Sequence, residues 1–202
     1  MTKHSILALV LATFIALTPG ARAQHDASAP LPGASLYNLD ETWVNQDGRR
    51  VPLSSLRGKL IVAAMGYTTC KDMCPAVVAD MMWIDKHLPP EAVHRISFVF
   101  FSFDSVVDTP ERLRLYADGH GLDLSHWTLF GSNDDTAREL AAALGVAWRP
   151  DGAGGFDHTA VISLLDADGT IVFQQFGTKA SSDELLAKLK ALLAAPRKPE
   201  RS

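Results

Sequence analysis

The chain lacks the features of a nucleic-acid-binding protein and of a zinc hydrolase. Its 19 lysines and arginines are outnumbered by 23 aspartates and glutamates, and no stretch interleaves basic with aromatic side chains. We therefore expect no nucleic-acid partner. Neither a His-Glu-x-x-His nor a His-x-x-Glu-His pattern occurs, which disfavours a hydrolytic zinc site. Cysteine is also scarce, since the 202 residues contain only two.

An apolar segment at the N-terminus predicts export. A short basic start precedes the apolar run 5–17, and Ala21-Arg22-Ala23 forms a small-x-small cleavage site. The run is shorter than the roughly 20 residues that a transmembrane helix needs. We expect a signal peptide over 1–23 and a mature, soluble chain in the bacterial periplasm. The alternative is an uncleaved N-terminus that anchors the protein in the membrane.

The remainder predicts one domain. Residues 24–34 are rich in alanine, serine and proline and are expected to form a flexible tether. After cleavage, 17 basic and 23 acidic side chains remain, a net charge of −6, and the 47% apolar content suffices for one core. We expect the domain to cover 35–195 and to be followed by a charged tail over 196–202.

The hydrophobic pattern predicts an α/β fold. An N-terminal hairpin over 36–53 turns at the Asp-Gly pair, and continuous apolar runs predict buried central strands at 60–65 and 96–103. Later strands are predicted at 127–130, 159–165 and 170–176, and 149–156 is predicted to be a loop. Helices are predicted at 75–87, 109–118, 134–144 and 182–193. This is the order of a thioredoxin-like fold with an N-terminal β-hairpin and an inserted α-β-α segment.

The two cysteines, Cys70 and Cys74, lie where the first central strand meets its helix. Pro75 fits the first position of that helix, which places Cys74 at or beside the N-cap. Unpaired amides and the helix dipole at this end favour thiolate. A disulfide here would close a very short loop and remove only about 2 kcal/mol of unfolded-chain entropy. The pair therefore predicts metal binding or thiol redox chemistry rather than a structural staple.

His158 is the best candidate for a third ligand. It lies between a glycine-rich loop and the penultimate strand, a junction that in a thioredoxin fold adjoins the cysteine-bearing helix. Asp157 is a candidate acceptor that would orient the imidazole. Two thiolates and an imidazole suit copper, although zinc also accepts this set with a water. The alternative for His158 is a loop-stabilising role, and solvated surface roles are expected for His87, His94, His120 and His126.

Three motifs together resemble the SCO/SenC family over roughly Leu36 to Leu193. They are Gly66-Tyr67-Thr68-Thr69-Cys70-Lys71-Asp72-Met73-Cys74-Pro75, then Asp104 with Asp108-Thr109-Pro110-Glu111, then Asp157-His158-Thr159. The resemblance implies a thioredoxin-like copper chaperone with one Cu(I) or Cu(II) per chain, held by Cys70, Cys74 and His158. It also implies delivery of copper to, or maintenance of the thiols of, the CuA site of cytochrome c oxidase.

The resemblance also implies the partners. These are the oxidase subunit that carries CuA or another periplasmic copper protein, a second copper chaperone as donor, and a thiol reductase. The chain departs from the family at Thr69 and Lys71, where His and Pro are usual, and at 105–107, where Ser-Val-Val replaces Pro-Glu-Arg. These changes alter the surface around the metal, so the client stays open.

An enzyme is the alternative function. A periplasmic thiol-disulfide oxidoreductase would use Cys70 to attack and Cys74 to resolve, or the reverse, and would not need His158. A peroxidase is disfavoured because Tyr67 stands where peroxiredoxins place threonine.

Overall fold

A computed structural model of the protein describes residues 30–178 and 182–195. The predicted signal peptide over 1–23, the tether up to residue 29 and the charged tail over 196–202 lie outside the described residues. Among the residues that are described, no helix is both long and apolar enough to cross a membrane.

Nine strands and four α-helices make up the described structure. The strands are β1 (Thr42–Asn45), β2 (Arg50–Pro52), β3 (Leu60–Gly66), β4 (Ile96–Ser102), β5 (Trp127–Gly131), β6 (Trp148–Pro150), β7 (Phe156–His158), β8 (Val161–Leu165) and β9 (Ile171–Phe176). The helices are α1 (Met73–Lys86), α2 (Pro110–His120), α3 (Asp134–Leu144) and α4 (Asp183–Ala194), with short 3-10 helices at Leu36–Asn38, Leu53–Leu56 and Pro90–Arg95.

Seven strands form one mixed sheet in the order β2-β1-β5-β4-β3-β8-β9, and β6 pairs with β7 in a separate ribbon. β4 lies in the centre, parallel to both β3 and β5. Its register with β3 pairs Leu60 with Ile96 and Gly66 with Ser102. Both strands are buried almost throughout, because helices cover the two faces of a parallel sheet. The carboxyl ends of β3 and β4 therefore meet at one edge.

The two faces of the sheet enclose separate apolar clusters, because successive strand side chains point to opposite faces. One cluster joins Val62, Ala64, Phe98 and Phe100 of the sheet to buried residues of α1, α2 and α4. The other joins Ile61, Ala63, Val99 and Phe101 to Trp43 and to the buried face of α3. β3 and β4 end at Gly66 and Ser102, and the residues that follow them, Tyr67 and Phe103, still belong to the second cluster.

Most predicted elements are present, and the differences have physical reasons. α1 begins at Met73 rather than Pro75; a proline is tolerated inside the first turn because the first four helix amides have no intrahelical partner. α2 continues through Gly119 and ends at Gly121, whose φ of 65° suits a left-handed cap.

Two further predictions were wrong in part. The segment 149–156, predicted as a loop, is a loop only over 151–155. Its two ends belong to β6 and β7, which pair antiparallel with Pro150 opposite Phe156. The first hairpin strand was predicted from Leu36, but Leu36–Asn38 is a 3-10 helix whose N-cap Ser35 accepts a hydrogen bond from the Tyr37 amide. That local cap competes with strand geometry, as serine side chains often do.

Candidate metal centre

The structure brings the three predicted ligands together. The two cysteine sulfurs and one ring nitrogen of His158 all lie within 4.8 Å of one another. Cys70 lies in the turn after β3, Cys74 in the first turn of α1 and His158 at the end of β7. Two segments that are distant in sequence, the cysteine turn with the start of α1 and the end of β7, therefore converge at the carboxyl edge of the central strands. The role of the three side chains as ligands stays a prediction.

Cys74 is the buried member of the site. Its side chain is 1% exposed, and its Sγ lies 3.2 Å from Nε2 of His158. The sulfur also packs against the last residue of β3: a Cβ added to Gly66 would come within 2.9 Å of it. Glycine at position 66 thus leaves the room in which the Cys74 thiol sits.

Cys70 is the accessible member. It is half-buried, and its amide donates to the Tyr67 carbonyl at 3.4 Å, which closes a turn. Its Sγ accepts the Cys74 N–H at 3.3 Å. Asp72, at the N-cap of α1, provides no capping side-chain bond within the described part of the chain. A thiol therefore occupies the place where a capping oxygen would normally receive a helix amide.

The two thiols differ in acidity. Burial raises the pKa of Cys70, but the hydrogen bonds that its sulfur receives from residues 72–74 lower the pKa by more. The pKa of Cys70 therefore lies below the ordinary 9.0. Burial strongly raises the pKa of Cys74, and the neighbouring charges of Cys70 and Asp108 add to this effect. Cys70 is thus the thiolate-prone sulfur, and Cys74 remains a thiol until a metal or an oxidant removes its proton.

His158 presents its Nε2 lone pair to the site. Its Nδ1 lies 3.2 Å from the Thr159 carbonyl, a contact that requires the proton on Nδ1 and leaves Nε2 to accept from the Cys74 thiol or to bind a metal. Burial lowers the pKa of His158 below 6.5. The imidazole is therefore neutral at physiological pH, which is the form that binds metals.

The predicted orienting residue was wrong. The Asp157 carboxylate faces away from the imidazole and pairs with Arg149 at 3.2 Å. Successive residues of a strand point to opposite sides, so Asp157 and His158 cannot both face the cysteines, and the Thr159 carbonyl provides the acceptor instead.

Aromatic side chains that were not predicted as part of the site contact the imidazole of His158. The ring centroid of His158 lies 6.0 Å from that of Tyr67 and 5.3 Å from that of Phe103, both in edge-on arrangements. Phe156 contacts Tyr67 edge-on at 5.1 Å, and Trp148 stacks on Phe103 at 5.0 Å. The signal in the sequence was that Tyr67 and Phe103 directly follow β3 and β4, where strand ends meet. These rings keep one side of the imidazole dry.

Asp108, part of the predicted Asp-Thr-Pro-Glu motif, holds the cysteine loop in place. Its buried carboxylate accepts from the Thr68 amide at 2.9 Å, from the Thr68 hydroxyl at 2.5 Å and from the Ser102 hydroxyl. Burial raises the pKa of Asp108, while these hydrogen bonds oppose the rise. Asp104 accepts amides of its own loop, at Val106 and Val107. Asp108 thus links the end of β4 to the turn that carries Cys70.

One of the four histidines assigned to the surface is buried. His126 is 8% exposed, and its Nε2 lies 2.9 Å from the Asp85 carboxylate, which also accepts the Trp127 indole N–H. His87 and His94 are exposed, as predicted, and His120 is partly exposed. A buried, hydrogen-bonded histidine thus occupies a position that the polar sequence context suggested was solvated.

Comparison with known proteins identifies the family. A family model described as SCO1/SenC matches residues 34–194. The chain is also similar to the SCO1 protein homolog of Bacillus subtilis, at 27% identity over 154 residues that cover 74% of this chain and 79% of that one.

Two solved structures have the same fold. ScoI of Bradyrhizobium japonicum, solved with copper bound, is 28% identical with a TM-score of 0.63, and the match covers 75% of this chain and 96% of that one. BsSco, a member of the Sco family of cytochrome c oxidase assembly proteins in which a disulfide switch was identified, is 25% identical with a TM-score of 0.66 over 75% and 90%. The predicted thioredoxin-like fold is confirmed. Because the family model matches most of the chain, the protein belongs to the SCO1/SenC family.

Proposed function

We propose that this protein is a copper metallochaperone that carries one copper ion, as Cu(I) or Cu(II), on Cys70, Cys74 and His158. The observation that carries the proposal is the convergence of these three ligand atoms within 4.8 Å. Two thiolates select soft metals and an imidazole suits copper, so the set fits Cu(I), or Cu(II) with an added ligand. The copper bound to the similar ScoI of Bradyrhizobium japonicum supports the same cargo here.

The site suits a copper carrier because one of its three proposed ligands is buried and the other two are partly exposed to solvent. Cys74 is buried, whereas Cys70 and His158 are partly exposed. Copper entering from solvent meets the accessible thiolate of Cys70 first, and the binding of Cys74 releases its proton. Transfer to a partner also begins at Cys70, because an incoming ligand can displace the exposed sulfur while the buried one still holds the ion.

We further propose the setting in which the carrier works. Residues 1–23 act as a signal peptide and the domain over 35–195 reaches the periplasm. The client is the CuA-bearing subunit of cytochrome c oxidase or another periplasmic copper protein, a second copper chaperone is the donor, and a thiol reductase returns the cysteines to the reduced state. The similarity to BsSco, from a family of cytochrome c oxidase assembly proteins, supports this client.

Thiol-disulfide exchange is the second candidate, and the unequal thiols favour it. The Cys70 thiolate would attack a substrate disulfide and release one of its thiols; Cys74, losing its proton, would then displace the other. The substrate gains two electrons and the protein keeps a Cys70–Cys74 disulfide. The fixed contact between the Cys74 amide and the Cys70 sulfur keeps the two residues close enough for this second step.

Four proteins tested side by side distinguish the two functions. Reduced wild type, Cys74→Ser, His158→Ala and the control His94→Ala, which changes an exposed histidine in the 3-10 helix Pro90–Arg95, are each titrated anaerobically with Cu(I) against a chelator. Exchange with a model disulfide is measured on the same samples. We expect one copper per chain in wild type and His94→Ala, no tight site in Cys74→Ser, and a loss of about tenfold or more in His158→Ala.

The exchange rates complete the test. A copper carrier predicts that His158→Ala keeps nearly the wild-type rate with the model disulfide while its copper affinity falls. Unchanged copper affinity in His158→Ala would remove the third ligand and leave thiol exchange as the function.

A further inference from the structure

One hydroxyl group connects the two halves of the candidate metal centre. The Tyr67 oxygen accepts the Phe156 amide at 3.1 Å and lies 3.4 Å from the Phe156 carbonyl. Tyr67 is three residues before Cys70, and Phe156 is two residues before His158. The Tyr67 side chain, in the loop that carries Cys70, thus binds the backbone of β7, the strand that carries His158.

The position of Phe156 makes this bond relevant to His158. The two residues lie on the same side of β7, since side chains two apart on a strand share a face, and both rings contact Tyr67 edge-on. β7 has only three residues and pairs with the three residues of β6. So short a ribbon cannot hold its own position against the sheet, and an outside contact has to fix it.

The glycine before Phe156 is part of the same contact. A Cβ at position 155 would lie 3.0 Å from the Tyr67 oxygen and 2.7 Å from the Asp151 carboxylate. The hydroxyl therefore reaches the backbone of β7 only because no side chain is present there. The Tyr67 ring itself is 6% exposed, so its place is fixed by packing.

We propose that Tyr67 is a positioning residue, whose hydroxyl holds β7 against the cysteine loop and so keeps Nε2 of His158 at its 3.2 Å distance from Cys74. The consequence for copper rests on the proposed function: if these side chains bind the ion, the hydroxyl pre-forms the site by holding the nitrogen next to the sulfur before copper arrives. Pre-forming a site raises affinity because less ordering is left to binding.

The chain contains a matched control for this hydroxyl. Tyr67→Phe removes one oxygen from a buried tyrosine. Tyr37→Phe removes the same atom from the 3-10 helix Leu36–Asn38, where the buried hydroxyl has no hydrogen-bond partner among the described residues. Both variants remove one hydroxyl oxygen from a buried tyrosine. They differ in that the Tyr67 oxygen binds the Phe156 backbone and also interacts with the Cys70 thiol.

The first measurement is made without copper. In the reduced protein we expect Tyr67→Phe to raise the hydrogen-exchange rate of the Phe156 amide about tenfold, the worth of one buried hydrogen bond. We also expect it to shift the ring-nitrogen resonance of His158 that reports the contact with Cys74. Tyr37→Phe leaves both unchanged. Wild-type exchange and resonance positions in Tyr67→Phe would overturn the proposal.

The second measurement adds Cu(I) with a competing chelator. We expect Cu(I) to bind about tenfold more weakly to Tyr67→Phe than to Tyr37→Phe. Gly155→Ala disturbs the same contact from the opposite side, so we expect it to weaken binding too. In the double variant of Tyr67→Phe and Gly155→Ala, the two losses should not add fully. Full additivity, or wild-type affinity in Tyr67→Phe despite faster exchange of the Phe156 amide, would overturn the positioning role. If wild type itself binds no copper, the proposed function fails, whereas the copper-free measurement still decides the role of Tyr67.

Discussion

Two neighbouring helix starts in this fold differ in a way that separates structure from chemistry. α1 follows β3 and α2 follows β4, and the two strands are parallel neighbours, so both helices begin at the same edge of the sheet. At the start of α2, Thr109 accepts the Arg112 amide at 3.3 Å and Pro110 occupies the first position. At the start of α1, the Cys74 amide is bound by a thiol sulfur, and the described residues offer no capping oxygen from Asp72.

The difference shows what an uncapped helix start can provide. A threonine cap contributes about 1 kcal/mol of stability, which α1 gives up. In exchange, the amides at this helix start hydrogen-bond the Cys70 sulfur and lower its pKa, which favours the nucleophilic thiolate form. The capped start of α2 stabilises the fold, and its preceding residue, Asp108, reaches across to support the uncapped one.

The largest expected effect, on both stability and copper affinity, comes from removing the Asp108 carboxylate. Asp108→Ala leaves the Thr68 amide and two hydroxyls without their buried acceptor, so we expect a loss of about 3 kcal/mol in unfolding free energy and a loss of tenfold or more in Cu(I) affinity. Denaturant unfolding and chelator competition measure the two. Asp108→Asn, which keeps one acceptor oxygen, should fall between Ala and wild type. Wild-type copper affinity in Asp108→Ala would show that the cysteine loop holds its shape without help from α2.

Thiol reactivity tests the difference in acidity between Cys70, in the turn before α1, and Cys74, in the first turn of α1. With Cys70 left alone in Cys74→Ser, and Cys74 left alone in Cys70→Ser, we expect iodoacetamide at pH 7 to modify Cys70 about tenfold faster or more, since each unit of pKa difference changes the thiolate population tenfold. The pKa obtained from the pH dependence of the rate should lie below 9.0 for Cys70 and above 9.0 for Cys74. Equal rates in the two variants would contradict the assigned roles of entry thiolate and buried thiol.

Removing the N-cap of α2 should lower the stability of the fold and leave the copper affinity nearly unchanged. Thr109→Ala removes the side-chain acceptor of the Arg112 amide, and we expect about 1 kcal/mol less stability with Cu(I) affinity within twofold of wild type. Thermal unfolding and copper competition on one sample test both. A copper loss as large as that of Asp108→Ala would mean that the start of α2 as a whole, rather than the Asp108 carboxylate, supports the site.

The smallest expected effect is a flat pH response of His158. Because burial lowers its pKa below 6.5, the imidazole stays predominantly neutral as the pH falls to that value. Protonation disfavours the folded site, so this group stabilises the fold above pH 6.5 and loses that contribution on further acidification. The ratio of Cu(I) affinities between wild type and His158→Ala should therefore be constant from pH 7.5 to 6.5. A halving of that ratio at pH 6.5 would indicate an ordinary, solvated histidine.

The elements with strong local patterns could be predicted from the sequence. α3 has the predicted bounds because Asn133 and Gly145 provide a cap at each end, and the continuous apolar runs marked β3 and β4. The 3-10 helix at Leu36–Asn38 and the β6–β7 ribbon could not be predicted in this way. Both depend on single hydrogen bonds and on short pairings whose partners lie several residues apart.

The candidate site divides in the same way. Cys70 and Cys74 could be singled out because the chain has only two thiols. His158 could be singled out by its place in the predicted fold and by a motif that, with those of the cysteines, resembles a family. The contacts that position them could not: the acceptor for His158 is a backbone carbonyl at Thr159 rather than the Asp157 carboxylate, and the Tyr67 hydroxyl binds backbone that is 89 residues away. Backbone donors and acceptors have no signature in a sequence.

The central claim is that one copper ion binds the sulfurs of both thiols and the nitrogen of His158, and X-ray absorption at the copper edge tests it most directly. For the reduced, Cu(I)-loaded protein the claim predicts a first shell of two sulfurs and one imidazole nitrogen, with the imidazole scattering lost in His158→Ala and one sulfur lost in Cys74→Ser. A shell of sulfur alone, or imidazole scattering that persists in His158→Ala, would contradict the account.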